Sequence, residues 1–323
     1  MADDTMKVRL GISACLLGEK VRYDGQHKLD RSLRDTLGKY VEFVPVCPEV
    51  ECGLGVPREA MRLVGDPAAP RLTTIRTKRD LTDRMLAWAD KRVEELAKED
   101  LHGYIFKAKS PSSGMDRVKV YNEKGGVIGK TSGLFAKAFM ARFPLLPVED
   151  EGRLSDPDLR ENFIERVFTL KRYREACVGR KGSKKLLSRI MAFHARNKYL
   201  AMAHNEQRAR AMGKLLAGAD AANAVVVCKA YEAELLQALA TPATLRKHVN
   251  VLQHIAGFFK KQLDADEKRE LMEIVQAYKD GHIPLIVPVT MLNHYARKYG
   301  SVFLKDQCYL HPHPLELKLR NHA

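Results

Sequence analysis

The first 143 residues alternate short apolar runs with polar loops, and the rest of the chain does not. Residues 8–12 form a β-prone run that ends in Ser13-Ala14-Cys15-Leu16-Leu17-Gly18. Residues 40–46 form a second run, entering Cys47-Pro48-Glu49-Val50-Glu51-Cys52 and the turn formers Gly53, Gly55 and Pro57. Residues 103–106 form a third, followed by Lys107-Ala108-Lys109-Ser110-Pro111-Ser112-Ser113-Gly114. Between these lie a short helix expected over 31–38 with Asp30 as its N-cap and Gly38 as its stop, and a hairpin of strands 61–64 and 71–75 around Gly65-Asp66-Pro67. In 80–99, Leu81, Met85, Trp88, Val93 and Leu96 recur at helical spacing among charges. A strand at 118–121, a glycine-rich turn (Gly125, Gly126, Gly129) and a helix at 133–143 complete the unit.

Strand, loop and helix in alternation predict a small Rossmann-like α/β domain with a mostly parallel sheet, whose three polar loops meet at one edge. Residues 144–157 turn to proline, glycine and acids, the expected linker, so domains are placed at 1–150 and 151–323. The second is expected to be all-α, with helices over 159–174, 183–199, 205–217, 221–240, 242–262 and 265–279. Phe163, Val167 and Leu170 stripe the first, and Leu245, Val249, Leu252, Ile255 and Phe259 the fifth. Pro242 is taken as a helix start, where its missing N–H costs little.

Charge separates the same two halves. The net charge is +15, and residues 161–323 hold 27 Lys and Arg against 15 Asp and Glu. A basic surface of this kind suits nucleic acid, because phosphate contacts dominate such affinity; it also suits plain solubility. His194, Arg196 and Lys198 fall near one helix end, where they could grip phosphate while Tyr199 stacks on a base. Lys171-Arg172, Lys184-Lys185, Arg246-Lys247-His248 and Lys260-Lys261 extend the basic character. An N-terminus without a signal-like apolar core, and no run of membrane-spanning length, make a cytoplasmic protein with no membrane partner the expectation.

The six cysteines are too dispersed in a chain of this size to form a disulfide framework. Cys15, Cys47 and Cys52 follow strands, whereas Cys228 reads as a buried small hydrophobe. The C-x4-C spacing of Cys47 and Cys52 occurs between iron–sulfur ligands, and three thiolates would leave one iron open. Zinc competes, although its closed sites use four ligands at tighter spacing and His27 alone lies near these loops; incidental buried thiols are the third possibility. Glu49 is placed for general acid–base work if buried, and otherwise is a solvated loop carboxylate. Ser110, Ser112 and Ser113 could orient a substrate or simply make a turn.

Taken together, Ser-Ala-Cys-Leu-Leu-Gly at 13–18, Val-Arg-Tyr-Asp-Gly at 21–25, Val-Pro-Val-Cys-Pro-Glu-Val at 44–50 and Lys-Ser-Pro-Ser-Ser-Gly at 109–114 resemble the thiouracil desulfidase family over residues 7–143. Residues from about 155 to 320 are similar to the helical domain of unknown role often fused to it in bacteria, as in tRNA 4-thiouridine desulfidases. The resemblance implies a 4Fe–4S cluster held by three cysteines, whose open iron captures a thiocarbonyl sulfur while water replaces it, releasing hydrogen sulfide without net redox change. Carried over, Cys15 and Cys47 are cluster ligands, Glu49 the acid–base carboxylate, and Ser110 and Ser112 catalytic residues on the substrate side. Arg22, Tyr23, Asp24, Lys109 and Ser113 are expected to bind the substrate. Ser113 stands where the family has its third cysteine, and Cys52 is the expected replacement ligand. His194, Arg196, Lys198, Lys260 and Lys261 are the expected tRNA contacts. The resulting expectation is a tRNA 4-thiouridine desulfidase; the alternatives are a desulfidase of free thiopyrimidines and a nucleic-acid-binding protein without catalysis.

Overall fold

The computed structural model describes residues 7–177 and 183–321, and the chain divides into two compact units, Met1–Asp156 and Pro157–Ala323. The side chain of Lys184, named above, lies outside the described residues.

Eight strands build the first unit: β1 (Val8–Ser13), β2 (Val41–Val46), β3 (Met61–Val64), β4 (Arg71–Thr74), β5 (Gly103–Phe106), β6 (Val118–Tyr121), β7 (Val127–Thr131) and β8 (Val148–Asp150). Three helices accompany them: α1 (Pro48–Glu51), α2 (Thr82–Leu96) and α3 (Leu134–Arg142). The main sheet has the order β2-β1-β5-β8 and is parallel throughout. Its central strands are buried almost end to end, as a parallel sheet covered on both faces requires. The Tyr104 ring on β5 packs against Gly11 of β1, and the fit depends on that glycine: a Cβ there would come within 2.2 Å of the ring. Phe135 and Phe139 from α3 close over Tyr104 and Phe106, with ring centroids 4.7 Å apart for Tyr104 and Phe139. Met85, Ala89, Val93 and Leu96 form the buried stripe of α2.

The sequence reading of a mostly parallel sheet describes this layer, but there is a second, mixed sheet of order β4-β3-β6-β7. Its β3–β4 hairpin matches the expectation. Its outer strand β7 occupies residues read as a glycine-rich turn. Val127 and Ile128 are about half exposed there, so the edge strand carries no one-sided apolar alternation to reveal it. β8 likewise falls in the expected linker: it is three residues long and buries Glu149 and Asp150 instead of apolar side chains. The helix expected over 31–38 is only an irregular pair of turns, Ser32–Thr36 and Leu37–Lys39, although Asp30 does accept the Leu33 N–H at its start (3.1 Å).

The second unit is helical: α4 (Pro157–Cys177), α5 (Ser183–His204), α6 (Glu206–Ala217), α7 (Ala224–Ala240), α8 (Leu245–Ala256), α9 (Ala265–Lys279), α10 (Ile286–Lys298) and α11 (Val302–Lys305). α8 begins after the Thr244 cap, so Pro242 precedes the helix instead of starting it, and Leu245 of the expected stripe is exposed. None of the described helices is long and apolar enough to cross a membrane.

A buried ionic knot ties α4 and the end of α5 to the C-terminal segment. Arg320 donates to Glu165 at 2.7 Å, to Glu161 at 3.0 Å and to the Tyr309 carbonyl at 2.6 Å, and His204 Nε2 lies 3.0 Å from Glu165. Burial would raise the Glu165 carboxyl, but Arg320 and His204 hold it well below the usual carboxylate range. Glu161 goes the other way, pushed up to about 8 by burial and by the charge of Glu165. Arg320→Met would leave Glu165 with His204 alone against it and without its guanidinium partner, and a broken buried pair costs about 3–5 kcal/mol. Thermal unfolding of the second unit is expected to show that loss at pH 7, whereas Glu161→Gln, which replaces a carboxyl already largely protonated there, is expected to cost far less.

Candidate active site

In an open parallel sheet, ligands bind beyond the carboxyl ends of the strands where the chain order reverses. Here the chain passes from β1 outward to β2 and then returns to β5 on the other side of β1. The loops leaving β1, β2 and β5 therefore face one another, and between them lies a cavity of about 380 Å³. Its walls include Ser13, Cys15, Arg22, Tyr23, Lys28, Cys47, Glu49, Arg58, Lys107, Lys109, Ser110 and Ser113.

Each loop is held by its own backbone chemistry. After β2, Cys47 is extended and Pro48 opens the single turn α1, which presents Glu49 inward. Glu51 points the other way: it accepts the Cys47 N–H at 2.8 Å and pairs with Arg92 at 3.0 Å, so the second carboxylate of the motif fastens the turn. Arg84 closes the far end by donating to the Cys52 and Gly53 carbonyls (2.6 and 2.8 Å). After β5, the Lys107 N–H donates to Ser13 Oγ at 2.9 Å, and Glu151 takes both the Ala108 N–H and the Lys107 ammonium. Lys109 adopts a left-handed φ of 61°, uncommon for a residue with a side chain, and turns the chain into Ser110. The serine loop then lies directly on the start of α3, where a Cβ on Gly133 would sit 2.5 Å from the Ser112 backbone.

Glu49 is the hub. Its Oε1 accepts from Ser112 Oγ at 2.5 Å and from Ser110 Oγ at 3.4 Å, the two hydroxyls being 3.0 Å apart. Its Oε2 lies 3.6 Å from the Cys47 thiol and 3.8 Å from the Arg58 guanidinium. Glu49 is thus an inward carboxylate with four named partners and not a solvated loop residue. Burial pushes the Cys15 thiol up to about 11, partly offset by Lys107, and the Cys47 thiol up to about 12, reinforced by Glu49. Both are protonated at neutral pH unless a cation sits against them.

Cys52 is elsewhere. Its thiol donates to the Glu49 carbonyl at 3.4 Å and packs with Leu63, Leu72, Leu81 and Met85 in the core of the mixed sheet. The structure does not bring it to the cavity, because the α1 turn rotates it away from Cys47; it is Ser113 that reaches the third wall. Arg22 and Tyr23 line the cavity, with the guanidinium 5.4 Å above the Tyr23 ring, but Asp24 does not, being spent on the turn through the Gln26 N–H (3.1 Å). Arg58, Lys28 and Lys107 join the wall without having been singled out in the sequence. Arg58 had a local sign, standing at the end of the cysteine loop, whereas Lys28 and Lys107 are ordinary loop lysines until the strands are paired.

In the second unit, His194 is not a free phosphate contact: its Nδ1 meets the Tyr231 hydroxyl at 3.0 Å, and burial pushes its imidazole down. Tyr199 is 5% exposed and cannot receive a base on its face. Arg196, Lys260 and Lys261 are exposed, and Lys198 lies over the rings of Tyr199 and Phe303.

Residues 10–151 match the protein family described as 2-thiouracil desulfurase, and residues 198–314 match one described as protein of unknown function (DUF1722). A curated relative, the uncharacterized protein YbgA of Escherichia coli (strain K12), is 29% identical over 133 residues, which are 41% of this chain and 79% of the relative. Among solved structures, the 4Fe-4S-dependent thiouracil desulfidase TudS is similar at 29% identity and a TM-score of 0.38, covering 46% of this chain and 94% of that one. The residues that match the 2-thiouracil desulfurase family are those of the unit that carries the Cys15, Cys47 and Glu49 cavity.

Proposed function

We propose that the protein hydrolyses the thiocarbonyl of a 4-thiouridine in tRNA, and the observation that carries this reading is the placement of Glu49 on the cavity wall, against the thiol of Cys47 and the hydroxyl of Ser110, which line the cavity with it, and backed by the buried hydroxyl of Ser112. The cavity volume lies in the range that takes one small ligand, so a single nucleoside fits it and a folded RNA does not. The target base would have to leave its stack, as bases do for enzymes that act on them. The excess of 27 basic over 15 acidic residues in 161–323 supports a polyanionic carrier for that base.

A 4Fe–4S cluster suits the donor set in the cavity. Cys15 and Cys47 offer two thiols from two loops, and Ser113 offers an oxygen from the third, a harder donor than the thiolates such clusters favour. When bound, the cluster would supply an iron with affinity for sulfur. The chain's own groups do the rest. Glu49 takes a proton from the water that adds to the pyrimidine carbon and returns it to the departing sulfur; the carbon–sulfur bond breaks, a carbon–oxygen bond replaces it, and water's two protons leave on hydrogen sulfide. Ser110 and Ser112 hold the Oε1 face of Glu49, and Lys109 supplies positive charge where sulfur becomes anionic, with Lys107 and Arg22 on the same wall paired to Glu151 and Asp24.

Three outcomes test this. Anaerobically purified Glu49→Gln is expected to keep its iron and lose about 10²- to 10⁴-fold in turnover of thiolated tRNA, the range of a general acid–base group; wild-type turnover of free 4-thiouracil but not of tRNA would sink the tRNA substrate. Cys47→Ala is expected to lose its iron and visible absorption, whereas Cys52→Ala should keep both and lose only on the order of 1 kcal/mol of stability from the mixed-sheet core; Ser113→Cys should hold iron at least as well as wild type. In metal-free protein, the folded thiols titrate above their unfolded values, so their contribution is complete below about pH 8.5 and is lost as the pH rises toward 11 and 12. The melting temperature of the metal-free wild type should therefore fall over that interval more steeply than that of Cys15→Ala/Cys47→Ala.

A further inference from the structure

The second unit exposes two aromatic rings side by side. Phe258 follows α8 and is 45% exposed, Phe303 lies in α11 and is 37% exposed, and their rings stack with centroids 5.4 Å apart and planes 25° from parallel. Val302, next in line, is 72% exposed. The pair has a firm footing: Tyr199, buried beneath, meets the Phe258 ring edge to face at 6.3 Å. Lys198 bridges the group, its ammonium 4.8 Å from the Tyr199 centroid and 5.1 Å from that of Phe303. Lys260 and Lys261 come two and three residues after Phe258, and Lys305 two after Phe303, all exposed. The carboxylates of the same segments are Asp306, exposed beside Lys305, and Asp264, which caps α9 through the Glu267 N–H.

Large exposed rings mark contact surfaces, and the surrounding charge says what kind. Protein interfaces are depleted of lysine, whereas sites for single-stranded nucleic acid combine cations that follow the backbone with aromatic faces on which bases stack. We propose that Phe258 and Phe303 form a base-stacking platform for an unpaired segment of RNA, with Lys198, Lys260, Lys261 and Lys305 around it meeting the phosphates. The site takes the place of the Tyr199 face expected from the sequence, one layer further out. It rests on the reading of tRNA as substrate and specifies where in the second unit the RNA is held.

The test is binding of tRNA, and of a single-stranded oligoribonucleotide, by fluorescence anisotropy across a salt series. Phe258→Ala/Phe303→Ala is expected to weaken both by about tenfold or more, the loss of stacked bases, while leaving the salt dependence nearly unchanged. Lys260→Ala/Lys261→Ala is expected to flatten the salt dependence, by somewhat under one unit of log–log slope per lysine. Phe258→Leu/Phe303→Leu keeps apolar bulk and removes the rings; it should weaken binding as well, and carries the test if the alanine variant fails to fold. Wild-type affinity in the double variants overturns the platform and leaves the tRNA substrate standing. A wild type that binds no tRNA overturns both. A wild-type dimer that the leucine variant converts to monomer, with RNA affinity unchanged, assigns the face to a second copy of the chain and likewise overturns the platform.

Discussion

Strand β1 is held on both edges by parallel neighbours, β2 in register from Val8 to Ser13 and β5 from Leu10 to Ile12, and parallel pairing obliges the three strands to end at the same edge. The loops bearing Cys15, Glu49 with Cys47, and the serines can meet only because of that. The sheet closes tightly enough to fix their spacing: Tyr104 fills the space above Gly11, and the serine loop is pressed onto α3 across Gly133. A side chain at either glycine would displace a backbone or a ring in a close-packed layer, so an effect on the cavity can arise from a residue that never touches it.

The same geometry explains why two neighbouring cysteines have different fates. Cys47 sits at the strand end and Cys52 one helical turn later; the turn is locked by Glu51 at its start and Arg84 at its finish. A locked turn cannot swing Cys52 round to the cavity without breaking both fastenings and pulling its thiol out of the mixed-sheet core. The third wall falls to Ser113 because the loop that carries Ser110 and Ser112 onto Glu49 carries it as well.

Much of this was legible in the chain. Apolar runs at 8–12, 40–46 and 103–106 mark β1, β2 and β5, and the loops after them hold Cys15, Cys47, Glu49 and the serines. Boundaries blurred where the signal is physically weak: β7 exposes both of its leading apolar residues, and β8 buries charge. Cys52 departs from the expectation for another reason. Spacing along a chain reports reach, while the direction of a side chain after a tight turn depends on an ion pair from Arg92 to Glu51 and on hydrogen bonds from Arg84 to the Cys52 and Gly53 carbonyls, all from residues more than thirty positions along the chain.

Charge shows the limit of counting most plainly. The second half has its basic excess, yet several of those residues are spent inside it: Arg320 holds two buried glutamates, Arg172 donates to the Pro312 carbonyl and Thr169, and Lys247 caps the His204 carbonyl. A cation committed to a buried acceptor has neither the freedom nor the exposure to release counterions from a phosphate. The count therefore overstates the surface available to RNA, and the residues that matter are the exposed ones left over. That Lys260, Lys261 and Lys305 fall beside the two exposed rings is what turns a diffuse positive charge into a place.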